Sequence, residues 1–259
     1  MTMSRVLPGL LIGSLLIAGT GHAQPKPAAD LVRAQTSDQF TDLEALYKQI
    51  HSHPELSLRE EQTSARLAKE MKQLGFAVTT KVGGHGLVCI FKNGDGPTVM
   101  VRTDMDALPV IEQTGVPYAS KVRTRDKYGN EVGVMHACGH DMHMTCWIGT
   151  AKSLLALKDR WKGTLMFLAQ PAEEIGTGAR LMLEDGLYKR FTKPDYAIAL
   201  HCDSRLQAGH VSYSDGLAMA NVDSVEIIVK GRGGHGAAPH TAIDMVSTPV
   251  RMLGSIVGQ

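Results

Sequence analysis

The 259-residue chain has no excess of either charge sign: 27 Lys and Arg stand against 26 Asp and Glu, a net charge of +1. That balance removes the electrostatic case for a nucleic-acid or acidic-surface partner. Cysteine is scarce as well. Four residues, Cys89, Cys138, Cys146 and Cys202, are too few and too irregularly spaced for a disulfide-built scaffold. Internal repeats and low-complexity tracts are absent, which excludes solenoids and fibrous arrays. The longest apolar run, VLPGLLIGSLLIAGTG at 6–21, is shorter than the ~20 residues a spanning helix needs and carries Pro8 and several glycines. It follows the basic start MTMSR, and small residues precede a cut after Ala23. That layout is expected of an export leader over 1–23, which would send the mature chain to the periplasm or beyond and leave it without stable membrane association.

What is present is the composition of an ordinary globular protein, 43% hydrophobic and 20% charged. PKPAAD reads as a solvated leader. Helical spacing is expected over 42–53, ended by Pro54, and over 60–75, where Leu67, Ala68, Met71 and Leu74 share a face and Gly75 ends the helix. Strands are expected at 76–82 and 86–93, with NGDG at 93–96 as a hairpin-like link onward. Three apolar runs then finish in polar residues: TVMVRTD at Asp104, TLMFLAQPAEE at Glu173 and Glu174, and DYAIALHCD at His201. Helical patterns at 143–159 and 176–190 separate them. Alternating strands and helices imply an α/β fold with a largely parallel sheet, whose carboxyl edge is where ligands bind. From about residue 217 an alternating strand, a glycine-rich turn with two histidines and a helix start read as the beginning of a second module. We therefore expect a catalytic α/β part over 24–216 and an incomplete module over 217–259.

The chemistry gathers in VMHACGHDMHMT at 134–145, which places His136, Cys138, His140, Asp141 and His143 within eight positions. Cys138 and His140, two apart on a loop, can face one ion, since zinc accepts thiolate and imidazole together. The adjacent acids Glu173 and Glu174 can divide labour, one as a ligand and the other as a base toward a water. His201 is a further donor, and Asp104 or Asp106 can orient a ligand histidine. Donors scattered over three strand ends, rather than clustered as in a closed zinc knot, favour catalysis. Two alternatives stay open. Cys138 could be a nucleophile with His140 or His136 as its base. The chain could also be a metal-holding remnant without turnover.

HPELS (53–57), RTDMDALPV (102–110), MHACGHDMHM (135–144), QPAEE (170–174), ALH (199–201) and GRGGHGAAPH (231–240) together resemble the M20 metallopeptidases, and their amidohydrolase branch in particular. The resemblance implies a zinc-peptidase-like α/β catalytic domain with an inserted α+β lid or dimerisation domain. It implies Cys138, His140, Glu174 and His201 as metal ligands, Glu173 as general base and acid, and Asp104 as the aspartate behind a ligand. His235 would hold substrate, often across a dimer, and His136, Asp141 and His143 would support the site. The cofactor would be zinc, manganese, cobalt or nickel, one or two ions per subunit. The reaction would be hydrolysis of N-acyl amino acids (hippurate-like) or small peptides, by a homodimer when complete. The family also has a ligand histidine after its inserted domain closes. No histidine follows His240, so the expectation here is a truncated chain holding one ion rather than two.

Overall fold

The computed structural model describes residues 27–126, 128–217, 227–243 and 249–250. The expected leader over 1–23 lies outside the described residues. So does most of the alternating strand expected after 220. The chain divides into two compact units, Met1–Ser204 and Arg205–Gln259.

The first unit carries a five-stranded sheet in the order β1-β2-β6-β3-β7. Its strands are β1 (Ala77–Val82), β2 (Gly86–Asn93), β3 (Thr98–Asp104), β6 (Gly163–Gln170) and β7 (Tyr196–Ala199). Strand β2 alone runs against the other four, so the sheet is mixed but mostly parallel, as expected. The minor pair β4 (Arg123–Arg125) and β5 (Glu131–Gly133) forms a separate ribbon, which has no apolar alternation to announce it.

Helices cover both faces of the main sheet. α1 (Ala28–Ser52), α2 (Glu61–Gln73) and α3 (His140–Ala156) pack on one side, and the short α4 (Gly178–Glu184) and α5 (Leu187–Arg190) on the other. Strand β6 shows why the layers form. Leu165, Phe167 and Ala169 enter the first core, and the alternate Met166 and Leu168 enter the second. α2 follows its sequence closely. Leu67, Ala68 and Met71 are buried, and the helix ends in a Schellman arrangement around Gly75 (φ 86°), with Gly75 N–H on Lys72 O and Phe76 N–H on Met71 O.

Four expectations are corrected. α1 begins at Ala28, not near 42, because its first turns bury no apolar face that periodicity could reveal; PKPAAD thus runs into a helix. NGDG makes no hairpin, since β6 inserts between β2 and β3; the Asn93 amide instead donates to Lys158 O and Trp161 O at 2.6 and 2.7 Å. The 176–190 helix is two helices, broken at Gly186, which holds φ 84°. α3 starts at His140, inside the histidine cluster rather than after it. Among the described residues no helix is long and apolar enough to cross a membrane.

Candidate metal centre

The parallel strands β3, β6 and β7 deliver their carboxyl ends to one edge. Asp104 lies opposite Gln170, and Arg102 opposite Ala199, so His201 continues β7 at the level of Asp104. The first turn of α3 meets that edge. Gly139, at φ 85°, turns the chain into the helix, and the three-residue spacing of His140 and His143 sets both rings on one face.

His140 is fully buried. Its Nδ1–H donates to the main-chain carbonyl of Asp106 at 2.7 Å, which leaves Nε2 facing the edge. That Nε2 has no hydrogen-bond partner and lies 3.7 Å from Asp104 Oδ2, 3.7 Å from Glu174 Oε1 and 3.8 Å from Glu173 Oε2. Glu174 Oε1 is a second buried atom without a partner. His201 repeats the pattern. Its Nδ1–H donates to Cys202 O at 2.7 Å, and its Nε2 faces Cys138 Sγ at 3.3 Å. Two imidazoles each anchored through Nδ1 to a carbonyl, with Nε2 bare in His140 and turned to Cys138 Sγ in His201, have the arrangement of metal-ligating histidines. The donors Cys138, His140 and His201 lie within 4.8 Å of one another, as do His140, Glu173 and Glu174. Sulfur, nitrogen and carboxylate oxygen in that proximity fit a divalent cation of the zinc type.

His143 offers a similar ring but has nothing left to give a metal. Its Nδ1–H donates to Asp104 Oδ1 at 2.7 Å, and its Nε2 accepts the Cys202 N–H at 2.9 Å. It ties the exit of β7 to the end of β3. His136 is buried with neither ring nitrogen hydrogen-bonded, and burial holds it neutral, its pKa down to about 4.

Acid–base character follows from these contacts. Burial would raise Asp104, but the His143 hydrogen bond and the charges of His140 and Arg102 outweigh it and hold the carboxyl well below the usual range. Burial would lower His140; its bond to Asp106 and the charges of Asp104, Asp106 and Glu174 raise it instead. Burial raises Glu174, with Glu173 and Asp106 adding. Burial and the carboxylates of Glu174, Glu173 and Asp104 push the Cys138 thiol up to about 12. Reactive cysteines sit in electropositive surroundings, and Cys138 sits among acids.

Glu173 and Glu174 stand in a tight turn after β6. Their N–H groups donate to Asp106 Oδ1 and Oδ2 at 3.1 and 2.9 Å, so the second aspartate of RTDMD fixes the turn while the first faces the donors. Side chains differ in access: Glu173 is 38% exposed and Glu174 15%. The turn is backed by Gly178, where an added Cβ would lie 1.5 Å from Pro171 O. Gly178→Ala is therefore expected to cost about 3 kcal/mol or more, because backbone and not a flexible side chain is in the way. Urea denaturation checks this, and a loss below ~1 kcal/mol would contradict it.

Sequence reasoning missed a buried ion cluster beside the site. His51, at the end of α1, donates from Nδ1 to Asp141 Oδ2 at 2.6 Å and from Nε2 to Glu112 Oε1 at 2.9 Å, with Tyr47 and Tyr118 packed on its ring. Donation from both nitrogens makes it an imidazolium. Periodicity marked His51 only as a residue near a helix end. Burial lowers its pKa, but the bonds to Glu112 and Asp141 outweigh that and raise it. Its contribution to stability is therefore whole below the unfolded value of ~6.5 and is lost as pH rises through the raised folded value. The stability advantage of the parent over His51→Gln is expected to shrink across that alkaline window. Parallel denaturation midpoints from pH 6 to 9 would rule this out.

His235 belongs to the second unit. It is exposed, and its Nδ1 accepts the Ala237 N–H at 3.2 Å within the turn 235–238.

Comparison with known proteins places this edge in context. Residues 100–253 match the model of peptidase family M20/M25/M40. The chain is 37% identical over 219 residues to an N-acetylcysteine deacetylase of Bacillus subtilis, covering 84% of this chain and 53% of that protein. It is 38% identical over 222 residues to the hippurate hydrolase of Campylobacter jejuni, covering 84% and 55%. Among solved structures it resembles the Bacillus subtilis YXEP protein, a dinuclear metal-binding peptidase of the M20 family, with TM-score 0.53 and 38% identity over 59% of this chain and 41% of that one. The chain thus spans about half the length of the curated relatives it matches. The matched region contains the strand ends, the α3 cluster and the paired glutamates described above, and the chain belongs to peptidase family M20/M25/M40.

Proposed function

We infer that the edge of this sheet is the metal-dependent hydrolytic centre of an amidohydrolase acting on N-acyl amino acids or small peptides. One observation carries the reading: His140 Nε2, buried and without a hydrogen-bond partner, lies within 4.8 Å of the donors of Cys138 and His201 and 3.7 Å from Glu174 Oε1, itself buried and unpartnered. Cys138, His140, Glu174 and His201 would hold a divalent cation, with zinc favoured by the thiolate and imidazoles and manganese, cobalt or nickel as alternatives. Such an ion, when bound, polarises an amide carbonyl and acidifies water. Glu173 is the residue free to move a proton, being the more exposed of the pair. It takes the proton of the attacking water and passes it to the leaving amine. Asp104 and His143 keep the donors aligned, with Asp104 ionised throughout. The relatives named for N-acetylcysteine deacetylation and hippurate hydrolysis support an N-acyl amino acid as substrate.

In the same reading, residues 24–216 are the catalytic part and 217–259 begin a lid or dimerisation domain carrying His235 toward substrate in a homodimer. The leader over 1–23 would direct export. The test is hydrolysis of hippurate-type substrates before and after chelation, with zinc added back. Loss on chelation and recovery with zinc is the expected result. Hydrolysis that survives complete chelation would sink it in favour of Cys138 as nucleophile.

A further inference from the structure

The segment HPELSLREE, 53–61, is not used by the metal reading, yet it is bonded to the site at several points. The Glu55 carboxylate caps α2 through the N–H groups of Gln62 and Thr63 at 3.1 and 2.8 Å. Ser57 Oγ donates to Asp106 Oδ2 at 2.6 Å. Glu60 is fully buried, and its Oε1 accepts two main-chain N–H groups: Leu58 at 3.0 Å and Ala172, 112 residues away, at 2.7 Å. Leu58 (φ 66°) and Ala172 (φ 48°) are two of three described non-glycine residues with positive φ. A non-glycine residue is held there only when its surroundings over-determine it, and such positions concentrate at functional sites.

With Asp106, Glu60 thus captures three successive amides, those of Ala172, Glu173 and Glu174, on two buried carboxylates. A turn whose N–H groups are all claimed has one way to aim its side chains.

We propose that Glu60 is a positioning residue for Glu173 and Glu174: it acts through the Ala172 amide, holding the left-handed turn that presents both acids. This rests on the metal reading above. Glu60→Gln keeps an oxygen acceptor of the same shape, whereas Glu60→Leu fills the space without one.

Zinc affinity of the chain, measured by competition titration, is expected to fall about 10–100-fold in Glu60→Leu, as for outer partners of metal ligands. In Glu60→Gln it is expected to stay within about threefold. Ala172→Gly tolerates the positive φ by itself, so adding it to Glu60→Leu is expected to restore most of the lost affinity. A residue that merely filled the core would not be rescued this way. Parental affinity in Glu60→Leu, or no recovery with Ala172→Gly, overturns the proposal. Should Glu60→Leu fail to fold, hydrogen exchange in the unaltered chain decides. The Ala172 amide is expected to be protected, and exchange at open-loop rates overturns the proposal. If the parent itself binds no zinc, the metal reading falls and takes this inference with it, an outcome distinct from the variant results.

Discussion

Glu173→Gln is expected to leave zinc affinity within about threefold of the parent while lowering amide hydrolysis by about 10²–10⁴-fold, the usual contribution of a positioned general base. The two neighbouring acids are treated differently by the fold, which is why binding and turnover should separate. Glu174 turns a buried, unpartnered oxygen toward His140, while Glu173 keeps partial access to solvent, where a water and a leaving amine must come and go. The main-chain amides of both donate to Asp106, so replacing a carboxylate oxygen by an amide at 173 does not disturb the turn. The measurement is kcat on a hippurate-type substrate beside a zinc titration of the same preparation. Retained turnover would remove Glu173 as the base, and a parallel loss of zinc would make it a ligand instead.

Zinc itself is expected to stabilise the first unit strongly. Without a cation the edge holds Asp104, Glu173 and Glu174 within 4 Å of the buried His140 Nε2, and burial, with the charges of Glu173 and Asp106, raises Glu174. Saturation at about a thousand times the dissociation constant contributes about 4 kcal/mol, which for a unit of this size raises Tm by about 8–16 °C. His140→Ala is expected to abolish the shift, because His140 belongs both to the donor group with Cys138 and His201 and to the group with Glu173 and Glu174. A zinc-induced shift of equal size in His140→Ala would place the ion elsewhere. Thermal melts of both chains, with and without zinc, settle the point.

Much of this was legible in residue order. The face of α2, its stop at Gly75 and the alternation of β6 are local patterns set by helix and strand periods, and they survive folding because packing agrees with them. The convergence of Asp104, Glu173, Glu174 and His201 was legible too, since parallel strands must end on one edge. What stayed hidden depends on long-range pairing. NGDG has a hairpin's composition, but β6, seventy residues later in the chain, takes the place beside β2. Glu60 stands at a helix start, where an acid ordinarily serves the helix dipole in solvent; only the arrival of Ala172 makes it a buried acceptor. His51 needed Glu112 and Asp141, 61 and 90 residues distant, before it became an imidazolium between two acids. The ring contacts of His140 and His143 were likewise not legible from residue type, though the resemblance separated their roles. In the structure His143 spends both nitrogens on Asp104 and Cys202, while His140 keeps one bare.

The most direct test of the metal centre is X-ray absorption at the zinc edge of the chain loaded with one equivalent of zinc. Cys138, His140, Glu174 and His201 require one sulfur scatterer at ~2.3 Å and nitrogen or oxygen scatterers at ~2.0–2.2 Å, with the sulfur lost in Cys138→Ser. A first shell of nitrogen and oxygen alone in the parent chain would contradict the assignment.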